Sequence, residues 1–286
     1  MKKQISFSGK GSRADIGDMA IFRILPNRYT DAVGPFVFLD HIAPRIHIKP
    51  ILQGTGAHPH RGIATLTYVL NGEDKHSDSA GNHAVVYSGG VQWMKAGNGI
   101  IHDENLSYDS RTENKLTHGL QFWINLPAAI KVENPEYLAI QSDDVPKKSL
   151  SDQRGWIKVI AGNYEDLQSA IPNYTGQFIY HIQLNPGQLF EIDIQDESEV
   201  AAFLPLQNAV FNDLDFETGE FVEFDRTKGT IEIINRSEMV IDIILFGGDH
   251  YTEPIVAQGP FVMNTQQEVS EAYLDFYSGK YGEIKN

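Results

Sequence analysis

The chain has 286 residues, of which 41% are hydrophobic and 21% are charged, a composition typical of a globular protein with a substantial buried core. It contains no cysteine, which excludes disulfides, thiolate nucleophiles and thiolate ligands, so a metal site would need His, Asp or Glu. No apolar run reaches the length of a membrane span, and the first residues do not follow a signal-peptide pattern. We therefore expect a cytoplasmic protein that does not enter membranes.

The net charge of −15 is concentrated in the second half of the chain. Residues 1–150 carry 16 Lys and Arg against 15 Asp and Glu, whereas residues 151–286 carry 7 against 23. The acidic half repels phosphate, so we expect no direct nucleic-acid binding, and its charge favours a basic protein as a partner. Eight of the ten histidines lie at or before His118, which places any histidine chemistry in the first half.

Most of the sequence reads as short strands separated by Gly, Asn, Asp and Pro turns, which predicts an all-β sandwich or barrel. In chain order the clearest predicted strands are FVFLDHI, ATLTYVL, HAVVY, LQFWINL, WIKVIAG, QFIYHIQL, TIEIIN and MVIDIILFGG. The polar stretch QSDDVPKKSLSDQR, residues 141–154, separates two groups of strands. We place the domain boundary there.

Two helices are predicted. Near the end, Asn264 or Thr265 is an N-cap, Glu268 completes a capping box with Thr265, and Gly279 ends the helix. The segment GNYEDLQSAI, residues 162–171, predicts a second, shorter helix.

Two motifs have the spacing of metal ligands. In GAHPHRGI, His58 and His60 are two residues apart, so in a strand they point to the same face. This pair alone is more often two ring side chains in a sheet than half of a metal site. In GNGIIHDENL, His102 and Glu104 repeat the spacing. Together the motifs supply three imidazoles and one carboxylate, a set that suits Fe(II), Mn, Cu or Zn and leaves positions open on a six-coordinate ion.

The alternation of strand faces makes a further prediction about the residues after His60. If His58 and His60 face a barrel interior, Gly62 and Ala64 face it as well, and their small size leaves room for a ligand.

Four other histidines of the first half are interpreted as structural residues. His41 and His118 lie in apolar surroundings and are expected to be hydrogen-bonded core residues. His76 and His83 are interpreted as hairpin residues, although His76 has the alternative of facing the mouth of a pocket. Asp78 is interpreted as a turn residue.

Several long stretches resemble one family. HPHRGIATLTYVLNGE and GGVQWMKAGNGIIHDE are similar to the two metal-binding motifs of the pirins, a bicupin family, and HGLQFWINLP is similar to the strand that follows them. EPIVAQGPFVMNT and DFYSGKYG resemble the pirin C-terminus. The resemblance implies two cupin β-barrels, of the jelly-roll type, packed face to face. The predicted parts are a metal-binding domain (1–140), a linker (141–154), a second cupin domain without metal (155–253) and a C-terminal segment that braces the first domain (254–286).

By matching motif positions, the resemblance implies one metal ion bound by His58, His60, His102 and Glu104. Iron, as Fe(II), is the metal most expected, with Zn, Mn, Ni and Cu as alternatives. Some pirins resemble quercetin 2,3-dioxygenases, which implies O2-dependent ring cleavage of a flavonol-like aromatic substrate, with Glu104 as both ligand and catalytic base. The alternative that the family offers is a non-catalytic, metal- or redox-responsive transcriptional coregulator that acts through protein contacts.

Two positions depart from the pirin pattern. Ala64 stands where pirins typically carry a glutamate, and Gly90 stands where they carry an aspartate. If the glutamate assists proton transfer in the pocket, its loss slows the reaction. On that reasoning the substitution Ala64→Glu is expected to raise activity.

Overall fold

The computed structural model describes residues 1–17, 19–47 and 54–285. The chain forms two compact units. The histidine-rich unit comprises Ala14–Phe22, Val37–Asp144 and Thr252–Asn286, and the second unit comprises Met1–Arg13, Arg23–Phe36 and Val145–Tyr251.

Strands dominate both units. In chain order the elements are β1 (Ile5–Lys10), β2 (Ser12–Arg13), β3 (Ile21–Leu25), β4 (Phe36–Ile46), β5 (His58–His60), β6 (Ile63–Asn71), β7 (Glu73–Asp78), β8 (His83–Tyr87), β9 (Val91–Lys95), β10 (Ile100–Ser107), β11 (Leu116–Asn125), α1 (Ala128–Lys131), β12 (Glu136–Ile140), β13 (Lys147–Ser149), β14 (Gly155–Ala161), β15 (Asn163–Tyr164), β16 (Leu167–Gln168), β17 (Phe178–Leu184), β18 (Leu189–Ile194), β19 (Ser198–Phe203), β20 (Ala209–Phe211), β21 (Leu214–Phe216), β22 (Glu220–Phe224), β23 (Gly229–Ile234), β24 (Ile241–Asp249), β25 (Val256–Gln258), β26 (Phe261–Met263) and α2 (Gln266–Tyr277). Two single turns of 3-10 helix lie at Ser142–Asp144 and Ser151–Gln153.

The histidine-rich unit contains two antiparallel sheets. One sheet has the order β12-β9-β6-β11-β4, and the other has the order β5-β10-β7-β8. Their inner faces meet, because Thr67 of β6 and Gln121 of β11 both donate hydrogen bonds to Glu104 of β10. The second sheet therefore carries both histidine motifs on a wall of the interior.

The chain changes sheets between β5 and β6, at Gly62, which has a φ of +83°. This left-handed residue resets the alternation of faces, so Thr67 rather than Ala64 points at the opposite sheet. Ala64 lies on the other face, opposite Ile124 and Lys95 in the neighbouring strands. The predicted inward direction of Ala64 was wrong, because the prediction assumed one unbroken strand through Gly62.

The second unit is also built from two antiparallel sheets. Their orders are β1-β22-β19-β24-β17-β14-β13 and β18-β23-β20-β21. Aliphatic and aromatic side chains of both sheets fill the core, among them Ile157, Ile182, Phe211, Phe224 and Ile243.

The two units differ from the predicted domain limits at their edges. Strand β1 pairs with β22, so the first 13 residues belong to the second unit rather than to the histidine-rich one. Part of the predicted linker, 141–154, is the strand β13, which pairs with β14. Residues 252–285 lie in the histidine-rich unit.

The C-terminal helix prediction is confirmed. Thr265 is the N-cap of α2, and it forms the predicted capping box with Glu268. The predicted helix within 162–171 was wrong, because β15 and β16 form a short hairpin there, with Glu165 at a φ of +48° in the turn. Within the part of the chain that the structure describes, neither helix is long and apolar enough to cross a bilayer.

Candidate metal centre

The centre is assembled by strand pairing. Strand β10 pairs with β5 on one side, which places His102 opposite His58, and with β7 on the other, which places Glu104 opposite His76. Residues directly opposite each other in antiparallel strands share a face of the sheet. The two sequence motifs therefore present their side chains to the same interior space.

Three imidazoles converge in this space. Ligand nitrogens of His58, His60 and His102 all lie within 4.8 Å of one another. The Nε2 atoms of His58 and His102 are 3.0 Å apart, and the ring of His60 lies 5.0 Å from each of the other two, centroid to centroid. This spacing fits three nitrogens around one ion.

Backbone carbonyls fix the orientation of two of these rings. His58 Nδ1 lies 2.7 Å from the carbonyl oxygen of Gly56, and His60 Nδ1 lies 3.1 Å from that of Pro260. A carbonyl only accepts, so each Nδ1 must be the protonated donor and each Nε2 keeps a free lone pair. Such outer hydrogen bonds are typical of histidines that bind metals.

Burial favours the neutral form of the His60 and His102 rings. It lowers the pKa of His60 to about 3, with a further contribution from His58, and it lowers the pKa of His102 well below its ordinary value. His60 and His102 are buried, whereas His58 is only half-buried. His60 and His102 are therefore uncharged donors, and His58 is the more exposed member of the triad.

Glu104 stands beside the triad rather than within it. Its carboxylate accepts hydrogen bonds from Thr67 Oγ1 at 2.9 Å and from Gln121 Nε2 at 2.6 Å. Glu104 Oε2 lies 4.0 Å from His102 Nδ1, a buried nitrogen that has no hydrogen-bond partner among the residues that the structure describes. Glu104 and His102 also form a second compact group with His76. The structure thus brings the four predicted site residues together, with the carboxylate next to His102.

His76 and Asp78 belong to the same wall, although the sequence was read as placing them in a hairpin and a turn. His76 is 2% exposed, its ring stacks on Tyr137, and its Nε2 lies 3.0 Å from Asp78 Oδ2. Asp78 also accepts the backbone N–H groups of Ala80 and Asn82, so it has a turn role as well. Burial opposes ionisation of Asp78, but its bonds from His76 and Asn82 leave its pKa below the usual value. The H-x-D spacing of His76 and Asp78 repeats that of the other two motifs. This spacing is the sequence signal that could have identified the pair as part of the same site.

Asp74 is a further acidic group that sequence reasoning missed. It is 1% exposed, accepts a 2.5 Å hydrogen bond from Gln92, and has its pKa raised well above the usual value by burial and by Glu104. Asp74 and Glu104 line one cavity together with Thr67 and Gln121. The cavity volume is about 40 Å³, enough for a few water molecules.

The other histidines of the first half follow the sequence interpretation. His41 and His118 are both buried, with their Nε2 atoms 2.9 Å apart. His83 is exposed, and its ring forms a hydrogen bond with the side chain of Ser77 on the neighbouring strand β7.

Comparison with known proteins gives two family matches. Residues 19–124 match the pirin family, and residues 179–282 match the pirin C-terminal cupin domain. Pirin-like protein 2 of Arabidopsis thaliana is 34% identical over 257 residues, which cover 87% of this chain and 75% of that protein. A pirin-like protein of Caulobacter vibrioides is 30% identical over 275 residues, or 94% of this chain and 95% of that protein.

Solved structures show the same architecture. A crystal structure of quercetin 2,3-dioxygenase from Acinetobacter baumannii matches with a TM-score of 0.89 and 29% identity and covers 100% of both chains. The crystal structure of a bacterial pirin from Escherichia coli in complex with nickel(II) matches with a TM-score of 0.65 and 20% identity, covering 86% of this chain and 99% of that one, which shows a shared fold. The predicted all-β fold with two cupin domains and a short C-terminal helix is confirmed.

Proposed function

The chain belongs to the pirin family, and from that premise we propose that it is a mononuclear metal-binding dioxygenase that cleaves a flavonol-like aromatic with O2. The proposed ligands are His58, His60, His102 and Glu104, and the proposed metal is Fe(II), with Zn, Mn, Ni and Cu as the other ions that this donor set accepts. We also propose a cytoplasmic location.

The observation that carries the proposal is the triad. Three imidazoles meet in one space, two of them buried, and the Nδ1 atoms of His58 and His60 are committed to backbone carbonyls. Neutral nitrogens with free Nε2 lone pairs are suited to a metal rather than to a charged hydrogen-bond network.

When bound, the metal supplies a Lewis-acidic template for the substrate oxygens and for O2. Glu104 is the proposed base for the substrate hydroxyl. Thr67 and Gln121 each occupy one of its oxygens and hold the carboxylate in place, while a carboxylate has further lone pairs for a proton or an ion. Burial and the neighbouring Glu104 raise the pKa of Asp74 well above its usual value, which disfavours a second negative charge beside Glu104.

The test combines metal analysis of the purified protein with aerobic flavonol decay. We expect about one transition metal per chain and flavonol consumption that depends on O2. The variant His60→Ala is expected to bind the metal at least tenfold more weakly and to lose flavonol consumption. His83→Ala, an exposed histidine on the same sheet, is the matched control and keeps both.

Two results divide the alternatives. A wild-type protein without bound metal, even after anaerobic reconstitution with Fe(II), contradicts the metal proposal. Bound metal with no flavonol decay removes the dioxygenase and leaves the non-catalytic reading, in which a metal-loaded pirin contacts a protein partner. The acidic half of the chain, with 23 Asp and Glu against 7 Lys and Arg, suits a basic partner in that case.

A further inference from the structure

We infer that the C-terminal segment, residues 252–285, controls how tightly the centre holds its metal, with Arg61 and Asp275 as positioning residues. The inference rests on the proposed metal centre and concerns groups outside its ligand set. It follows from the way the segment contacts the strands that carry the ligands.

The first contact is made directly on a proposed ligand. The carbonyl of Pro260 lies 3.1 Å from His60 Nδ1 and is the group that orients this ring. The next residue, Phe261, forms a parallel bridge with Arg61, and Val262 N donates to the Arg61 carbonyl at 3.1 Å. The segment thus runs alongside the chain immediately after His60, at a fixed register.

An ion pair fixes this register from the helix. Arg61 Nη1 donates to Asp275 Oδ2 of α2 at 2.9 Å, and the two side chains are only 14% and 24% exposed. Arg61 also lies near the side chain of Tyr281. A partly buried pair of this kind is less screened by solvent than a surface pair. It connects the residue after His60 to α2 by a route that does not include the ligands.

The segment also contacts the second ligand strand. Ser79 Oγ donates to the backbone carbonyl of Tyr281 and accepts the backbone N–H of Ile101, the residue before His102. The Tyr281 ring packs so closely on Gly99 that a Cβ there would lie 2.1 Å from it. Contacts from one segment therefore flank both His60 and His102.

These contacts predict an effect on metal retention. The loss of an outer-sphere partner of a metal-binding histidine weakens metal affinity by about 10- to 100-fold. Asp275 acts through Arg61 and the Pro260 carbonyl, so its effect belongs at the lower end of this range. Free movement of the segment would let the His60 ring rotate away from the geometry that the metal requires.

The experiment uses the full chain loaded with Co(II), whose visible absorption reports the arrangement of its ligands. For Asp275→Asn we expect about tenfold weaker Co(II) affinity in competition with a chelator. We also expect faster release of the ion and a changed absorption spectrum. Asp275→Glu, which keeps the charge, is expected to restore most of the affinity.

The matched control is Glu271→Gln. Glu271 lies one turn earlier on α2, is exposed and contacts Gln267, so this variant removes the same charge from the same helix and leaves Arg61 paired. Its Co(II) affinity and spectrum are expected to equal those of the wild type. Arg61→Gln tests the pair from the other end, and adding Asp275→Asn to it is expected to cause little further loss.

Three outcomes would overturn the inference or its premise. Equal Co(II) affinity in Asp275→Asn and Glu271→Gln overturns the positioning role. A lower melting temperature of metal-free Asp275→Asn with unchanged affinity and spectrum also overturns it, because the pair is then only structural. A wild-type chain that binds no Co(II) contradicts the proposed function itself.

Discussion

At the scale of single residues, the centre depends on the groups that hold its side chains in place. Thr67 and Gln121 fix both oxygens of Glu104, and backbone carbonyls fix His58 and His60. A carbonyl acceptor leaves no trace in the sequence, since any residue supplies one. The residue types of the proposed ligands and their i, i+2 spacing were visible in the sequence, whereas these supporting contacts required the fold.

The position of Ala64 reverses the expectation for Ala64→Glu. Ala64 is 1% exposed and lies opposite Ile124 and Lys95, on the face of β6 that points away from Glu104's sheet. The Lys95 ammonium is already bonded to Glu133 and Glu136. A new carboxylate there is buried without a free partner, so we expect a loss of about 2 kcal/mol or more in the free energy of unfolding and no gain in flavonol decay.

Urea unfolding and aerobic flavonol decay, measured on the same Ala64→Glu preparation, check both parts. A faster decay than in the wild type would restore the view that a pocket carboxylate is missing at this position.

At the scale of elements, the strands were predictable because their apolar runs end at Gly, Asn and Pro turns. The C-terminal helix was predictable because Thr265 and Glu268 carry a capping box in the sequence. The helix prediction for residues 162–171 was wrong, because their apolar pattern is too short to distinguish a helical turn from a hairpin with a two-residue loop. The prediction of which face of β6 points inward was wrong, because a single glycine, Gly62, moves the chain from one sheet to another.

Gly62 therefore has a role that an alanine cannot fill. A Cβ at this position would lie 2.0 Å from the Val262 carbonyl oxygen, in addition to the cost of a φ of +83°. Gly81 is the matched control, because its φ is +93° but a Cβ there meets no atom within 4 Å. We expect Gly81→Ala to cost about 1 kcal/mol of unfolding free energy, and Gly62→Ala to cost more and to weaken metal binding as well.

Chemical denaturation and metal competition, measured on both glycine variants, separate the cost of a positive φ from the cost of the steric clash with the Val262 carbonyl. Equal losses in Gly62→Ala and Gly81→Ala would mean that the C-terminal segment moves aside freely.

At the scale of the whole molecule, the uneven distribution of histidine was visible in the sequence and agrees with the two compact units. All eight histidines at or before His118 lie in the histidine-rich unit. Several of them are buried, and burial of a neutral imidazole links folding to pH. The molecule therefore carries a built-in sensitivity to acid that is separate from its proposed chemistry.

The sign of this sensitivity follows from His41. Burial, with a further contribution from His118, lowers the pKa of His41 to about 3, whereas an imidazole in the unfolded chain titrates near 6.5. Between these values the unfolded chain binds the proton and the folded chain does not. The stabilising effect of a neutral His41 is thus complete above about pH 6.5 and is lost progressively as the pH falls toward 3.

We expect the free energy of unfolding of the metal-free protein, measured by urea denaturation, to fall steadily from pH 7 to pH 4. His41→Gln removes one of the groups responsible, so its profile is expected to be shallower than that of the wild type. His83→Gln, an exposed histidine whose loss leaves the buried rings in place, is expected to keep the wild-type slope. A flat wild-type profile, or equal slopes in all three proteins, would mean that His41 takes up a proton in the folded state as easily as in the unfolded chain.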